Sequence, residues 1–417
     1  MKRLLIITYY WPPTGGSGVQ RWVKFSKYLP QFGWQPVVYT PENPERLASD
    51  ESLLADIPGC AEVLRRHITE PYGIYRRLTG AKGGQAEVNP VSGGRKSPMQ
   101  RLSLWVRGNF FIPDPRVSWV RPSLKFLLRY LREHPVDAVV TTGPPQSMHL
   151  IGLGLKKALG IKWLADFRDP WTEIFYYKHL GLGKRADRRH HELEQQVLDG
   201  ADTVIAVTPY VQDDFRRRTK TPVALITNGF DEDDFAGRTP ARHEGKFTIV
   251  HTGLFAADGN PLNLWDALAE KCEADSGFAA KLQIRLAGKT DAAVFESIRA
   301  RGLGAQLLDL GYLPHDKVIE EQMGADVLIL PLRKEPEYAK VLPGKIFEYL
   351  ASGRPVLGIG QEDGAAARVL RDSGAGEMFG WERRDGLIEF ICAARREKSD
   401  IEKYSRRVLT GKLVELL

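Results

Sequence analysis

The chain has 417 residues, 43% of them hydrophobic and 27% charged, with a formal net charge of +7. That length exceeds one ordinary core and suits two domains of roughly 200 residues each, and the composition excludes collagen-like, low-complexity and disordered classes. Cys60, Cys272 and Cys392 stand far apart without Cys-x-x-Cys spacing, which argues against a disulfide framework or structural zinc and suits a reducing cytoplasm.

The apolar run after Met1-Lys2-Arg3 is too short for a signal peptide, and Trp11-Pro12-Pro13 follows it, so a buried first strand is expected. No stretch approaches the ~18 apolar residues needed to cross a bilayer. Strand patterns over Leu4–Tyr9, Pro36–Thr40, Ala138–Thr142, Ile161–Ala165 and Thr203–Thr208 predict one sheet. A short strand at Ala224–Thr227 precedes a polar junction, Asn228–Gly245. Phe247–Thr252, Gln283–Ala287, Gln306–Leu310, Ala325–Leu330 and Pro355–Ile359 predict a second sheet. Helical patterns such as Gln20–Phe32, Pro122–Glu133 and Leu262–Ala274 lie between. Strand–helix alternation predicts an α/β protein with two parallel, Rossmann-like domains, and ligands at the carboxyl ends of the strands. The expected domains are 1–230 and 231–398, with a terminal helix near 399–417 packing back on the first.

From Glu62 to Arg132 there are fourteen Lys and Arg against four acids. This basic 62–132 zone, with Trp105, Phe110, Phe111 and Trp119, suggests peripheral contact with an anionic membrane surface or an ordinary solvated face. No nucleic-acid recognition motif accompanies it. Within the zone, Thr79–Pro98 reads as a Gly/Ser/Lys-rich loop.

Four segments carry candidate chemistry. Thr14-Gly15-Gly16-Ser17-Gly18 follows the first strand and precedes a helix, which suits close approach of an anionic ligand or a plain flexible loop. Asp166-Phe167-Arg168-Asp169-Pro170-Trp171 sets two carboxylates and a guanidinium at a strand's carboxyl end, as catalytic groups or as a loop-fixing ion pair. Ser147 reads as a helix cap. His251, inside a strand before Gly253, reads as a packed core residue. The strongest signal is Pro343-Gly344-Lys345-Ile346-Phe347-Glu348, a short helix with Pro at its start and Gly353 at its stop. The amides of Gly344, Lys345 and Ile346 are expected to meet a diphosphate, Lys345 to add charge, and Glu348 to accept from ribose hydroxyls.

Gly15-Gly16, Asn228-Gly229-Phe230-Asp231, Gly253, Gly311-Tyr312-Leu313 and Glu348…Ala351-Ser352-Gly353-Arg354-Pro355-Val356 occur in the order seen in retaining, family-4 type glycosyltransferases, which the chain resembles. The Asp166–Trp171 motif is similar to that of a bacterial subset that builds surface polysaccharides. The resemblance implies a GT-B fold, two Rossmann-like domains facing across a cleft. It implies a nucleotide diphosphate sugar held mainly by the second domain and a glycan or lipid-linked acceptor held by the first. Retention of configuration and no metal or other cofactor are implied with it, and the cysteine pattern and the basic zone add an expected place in the cytoplasm or at the inner membrane face. The catalytic candidates are Asp169, Arg168 and Asp166, and the donor-binding candidates are Gly15, Gly16, Gly253, Lys340, Gly344, Lys345, Ile346 and Glu348. Two departures bear on the donor. The family's Glu-x7-Glu pair sets its first Glu at Lys340, with Glu335 or Glu337 as replacements, and no Arg or Lys occurs in Leu254–Leu262 after Gly253. A non-catalytic nucleotide-sugar-binding protein and a nucleotide-sugar epimerase are the alternative readings.

Overall fold

The computed structural model describes residues 1–44, 49–69, 98–174, 176–393 and 400–417. It divides into two compact units, Met1–Thr227 with Leu409–Leu417, and Asn228–Val408.

In the first unit, β1 (Lys2–Ile7), β2 (Trp34–Pro41), β3 (Glu62–Arg66), β4 (Ala138–Gly143), β5 (Lys162–Phe167), β6 (Thr203–Ala206) and β7 (Val223–Leu225) form one sheet in the order β3-β2-β1-β4-β5-β6-β7. In the second, β8 (Phe247–Thr252), β9 (Leu282–Ala287), β10 (Leu307–Gly311), β11 (Val327–Pro331), β12 (Val356–Ile359) and β13 (Gly376–Phe379) run in the order β10-β9-β8-β11-β12-β13. Every paired neighbour is parallel. Parallel strands need crossovers longer than a hairpin turn. The helices Ser17–Tyr28, Ser147–Leu159, Leu262–Ala274 and Lys345–Ser352 are among those that supply them.

Both faces of each sheet are covered, which is why the strands read as unbroken apolar runs. Leu5 and Ile7 point into one cluster with Val139 and Trp163, while Leu4 and Ile6 point into another with Trp22 and Val23. The chain's last helix, Arg406–Leu416, adds Leu409 and Leu413 to that second cluster. In the other unit Ile249 and Ile329 pack with Trp265, and Val250 and Leu328 with Ile346 and Phe347.

The sequence does not foretell β3 and β13, and both are sheet edges. Glu62, Arg65 and Arg66 make β3 half-exposed and charged, a composition that blunts an open edge and hides the strand. The Thr79–Pro98 loop expectation lies outside the described residues, apart from Pro98 at the start of the helix Pro98–Phe110. So do five cations of the basic zone, Arg76, Arg77, Lys82, Arg95 and Lys96. The zone's aromatics separate. Trp105 and Phe110 are exposed and touch edge to face, whereas Trp119 is buried and stacked on Tyr39.

Strand order reverses between β1 and β4 and again between β8 and β11. These are the two points where open parallel sheets part their loops and leave a crevice for ligands.

Candidate functional site

At the second reversal, β8 and β11 pair only from Ile249↔Val327 to Val250↔Leu328. Beyond that the strands part, and the buried His251 ring fills the gap, its Nδ1 3.1 Å from the Ile329 carbonyl oxygen. The chain then turns at Gly253, whose φ of +93° favours glycine. A Cβ at Gly253 would lie 3.3 Å from the Nζ of Lys345. That ammonium sits 3.3 Å from the Leu254 carbonyl oxygen and 3.4 Å from His251 Nε2. Both partners are neutral. Burial holds the Lys345 pKa down to about 8, with Glu348 acting the other way.

Lys345 opens an eight-residue helix that Gly353 stops in a left-handed conformation. Among the described residues the amides of Gly344 and Lys345 have no hydrogen-bond partner. The Ile346 amide differs from expectation: it donates to the Pro343 carbonyl at 3.1 Å, because the first turn tightens, and its side chain is buried. Glu348 Oε2 accepts from Gln322 Nε2 at 3.2 Å, and Gln322 also donates to Thr252 Oγ1 at 3.0 Å. The Tyr349 hydroxyl accepts from the Thr252 amide at 2.9 Å. Glu348 is thus aimed by Gln322 on the helix His315–Gly324, which Thr252 of β8 holds in turn, and among the described residues its Oε1 has no hydrogen bond. Lys340 is exposed at the end of the turn Pro336–Lys340. Nearby, Glu335 Oε2 is buried without a hydrogen-bond partner among the described residues.

At the first reversal, the carboxyl ends of β1, β4 and β5 gather the other candidates. Asp166 is fully buried. Its Oδ1 accepts from Arg21 Nη2 at 2.8 Å, and its Oδ2 from Trp22 Nε1 at 2.7 Å, Thr142 Oγ1 at 2.9 Å and Arg21 Nε at 3.1 Å. Burial alone would raise its pKa. The Arg21 guanidinium and the donated hydrogen bonds outweigh burial and hold the carboxyl below its usual range. Asp166 therefore cannot meet an acceptor hydroxyl, contrary to expectation. It locks the helix Ser17–Tyr28 to β4 and β5.

Arg168 donates to the carbonyls of Gly18 at 2.7 Å, Gly143 at 3.3 Å and Pro144. Its fork ties three loops together, and Gly18 lacks a side chain where that guanidinium passes. Asp169, the next residue, is exposed and makes no hydrogen bond or ion pair among the described residues. Buried Glu194 pins the loop beyond it. Its Oε1 accepts from the Trp171 and Thr172 amides, and its Oε2 from Thr172 Oγ1 and Arg218. Gly15 is buried against Asp50, and exposed Gly16 has a φ of +113°, so the loop into the helix keeps a bare backbone. Ser147 does not cap its helix. It lies in the first turn, and its amide and hydroxyl both donate to Asp114.

Sequence reasoning missed Arg21, Trp22, Gln322 and the link from His251 to Lys345. Arg21 left a signal, a cation on the apolar face of an otherwise amphipathic helix. The others depend on contacts distant in sequence.

Two doubly wound parallel sheets, each with its own reversal point, are the architecture of the GT-B fold. The chain belongs to Glycosyltransferase Family 4, whose sequence profile matches residues 16–234. No curated protein sequence matches it significantly. Solved structures with the same fold include a sucrose-phosphate synthase from Thermosynechococcus elongatus, at 15% identity, TM-score 0.58, covering 100% of this chain and 94% of that one. The lipopolysaccharide outer core galactosyltransferase WaaB matches at 11% identity and TM-score 0.59, covering 100% and 99%. WaaG, a glycosyltransferase of lipopolysaccharide biosynthesis, matches at 15% identity and TM-score 0.54, covering 99% and 92%. Among the described residues no cluster of His, Cys, Asp and Glu is placed to hold a metal ion, and no helix is long and apolar enough to cross a membrane.

Proposed function

We propose that the chain transfers a sugar from a nucleoside diphosphate sugar to a hydroxyl of a glycan or lipid-linked acceptor, with retention and without a metal. The observation that carries this is the ammonium of Lys345. It is half-buried, its hydrogen bonds run only to neutral groups, and it lies at the head of a helix with two amides that have no partner among the described residues. Among the described residues this cation forms no ion pair, although Glu348 favours its charge, and a diphosphate would supply a direct anionic partner. Glu348 Oε1 is available to a ribose hydroxyl, and the orphaned Glu335 Oε2 to a hydroxyl of the donor sugar. In the reaction the bond from the sugar's anomeric carbon to the diphosphate oxygen breaks. The acceptor oxygen bonds that carbon, and the acceptor's proton passes to the leaving diphosphate. Lys345 and the Gly344 and Lys345 amides offset the charge that develops there. Asp169, the exposed carboxylate, orients the acceptor hydroxyl, while Arg168 and Asp166 position the loops around it.

The test is turnover. Purified protein given UDP-, GDP-, ADP- and dTDP-sugars with glycan and lipid-linked acceptors should release nucleoside diphosphate from one donor, faster with acceptor present. Glu348→Ala should weaken nucleotide binding roughly tenfold, the size of one lost hydrogen bond to a charged group. Failure of every donor, together with unchanged nucleotide affinity in Glu348→Ala, rejects the reading. An epimerised donor formed without acceptor would mark an epimerase, and binding without turnover a non-catalytic protein.

A further inference from the structure

Resting on the diphosphate reading of Lys345, we propose that His251 is the positioning residue for this cation: a neutral imidazole that donates through Nδ1 to Ile329 and accepts the Lys345 ammonium at Nε2.

The argument starts with the backbone. The ladder between β8 and β11 stops at Val250↔Leu328. The Ile329 carbonyl would face a parted strand with no amide to meet it, and a buried carbonyl left so is costly. The His251 Nδ1–H takes that place at 3.1 Å. This bond assigns the tautomer, since the proton on Nδ1 leaves a lone pair on Nε2. Around Nε2 stand the Leu254 carbonyl oxygen at 3.4 Å and Lys345 Nζ at 3.4 Å. A lone pair gains nothing from a carbonyl oxygen and accepts from an ammonium. Burial first, and the Lys345 charge second, hold the His251 pKa well below its usual value, so a second proton on the ring is excluded near neutral pH.

The choice of imidazole has a consequence that a carboxylate could not give. A carboxylate at Nε2 would fix the ammonium and also neutralise it, and it would repel the incoming diphosphate. Neutral acceptors fix its direction and leave its charge available. His251 and Leu254 thus supply two bonds to the ammonium, and its third N–H remains for a phosphate oxygen. A purely apolar ring of similar size would preserve the packing against Phe255, whose centroid is 4.5 Å away, and lose the aim.

Few other groups act on this pair. Glu348, on the helix of Lys345, is the charged neighbour that favours the ammonium. Facing it from β8 and from the helix His315–Gly324 are Thr252 and Gln322, which are uncharged. Tyr349, beside them, has its phenol pKa pushed up to about 12 by burial and stays neutral. The sign of the pH effect follows. Lys345 in the free protein gives up its proton as pH rises through about 8, and a bound diphosphate favours the charged form. Binding therefore draws in a proton above that pH, and affinity falls as pH rises through it.

The experiment is calorimetric titration of UDP, GDP, ADP and dTDP into the full chain from about pH 7 to about pH 9.5, where the terminal phosphate, with a pKa of about 6, is already ionised. The unaltered protein should bind one of them, with proton uptake appearing above about pH 8. His251→Phe should weaken that nucleotide about tenfold at neutral pH. It should also move the fall in affinity to lower pH, because the half-buried ammonium loses an acceptor. His251→Gln, whose side-chain oxygen can take the place of Nε2, should return affinity to within about threefold and restore the profile. His251→Phe with unaltered affinity and profile would make His251 a core residue only. If that variant does not fold, His251→Gln and the imidazole nitrogen resonances of the unaltered chain decide. An Nε2–H tautomer or an imidazolium near neutral pH overturns the proposal. A protein that binds none of the four nucleotides overturns the diphosphate reading as well, whereas binding that ignores His251 overturns this inference alone.

Discussion

Lys345→Met is expected to weaken nucleoside diphosphate binding by roughly 10- to 100-fold, which corresponds to the ~1.5–3 kcal/mol of a charge-assisted hydrogen bond. Turnover should fall further, by roughly 100-fold or more, because charge on the leaving diphosphate grows as its bond to the sugar breaks. Methionine keeps the length and most of the volume of lysine, so the helix head and the turn at Gly253 should survive. The variant should also lose the pH dependence that Lys345 confers, since its pKa of about 8 is what places a titration there. Calorimetry and steady-state kinetics across that range check each part. A Lys345→Met protein that binds and turns over like the parent would remove Lys345 from the site.

The second large effect concerns stability. Asp166→Asn leaves the Arg21 guanidinium buried without a counter-charge, with the two side chains 1% and 0% exposed in the parent. Breaking one member of such a pair costs roughly 3–5 kcal/mol, since the remaining charge is not repaid. The first unit's urea transition should move down accordingly. The pH dependence has a definite sign. The folded-state pKa of Asp166 lies below its ordinary value, so its contribution is fully present above that ordinary value. It is lost as pH falls through the depressed folded value. The gap between Asp166→Asn and the parent should therefore narrow only in acid, below about pH 4. A gap unchanged by acid would show that Asp166 stabilises by shape rather than by charge. Activity should fall with stability, because Asp166 holds the loop that carries Arg168 and Asp169.

These two residues also show what the sequence can and cannot disclose. The alternation of apolar runs with helical periods locates ten of the strands, because buried parallel strands have no polar face to blur the pattern. β7, only three residues long, is legible from the polar junction that follows it. β3 and β13 fail for the opposite reason: as edges they are short, half-exposed or interrupted by charge. The helix head at Lys345 is legible because Pro and Gly punctuate it and its ligand-facing groups are backbone amides close in sequence. The geometry around Asp166 is not. Arg21 precedes it by 145 positions, and no local spacing announces their meeting. Of the two candidate carboxylates Asp166 proves enclosed, while Asp169, three residues further along the chain, is left exposed. A strand's alternation does not settle which of two nearby acids faces inward once the strand has ended in a loop.

The same contrast applies to His251. A histidine in a parallel strand reads as core, and by burial it is core. Its chemical role appears only with the partner 94 positions away that its second nitrogen faces. Lys340, in contrast, draws notice as a departure from the family's acidic pair, yet it is exposed, while Glu335 carries a buried oxygen without a hydrogen-bond partner among the described residues.

The most direct measurement is the melting temperature of the protein alone and with saturating UDP, GDP, ADP or dTDP. A ligand present at about 100 times its Kd stabilises the folded chain by ~2.7 kcal/mol. A rise of several degrees with one nucleotide, cut to about half or less in Lys345→Met at the same nucleotide concentration, is the predicted result. No rise with any of the four, or a rise that Lys345→Met retains in full, would contradict the assignment of a diphosphate to this helix head.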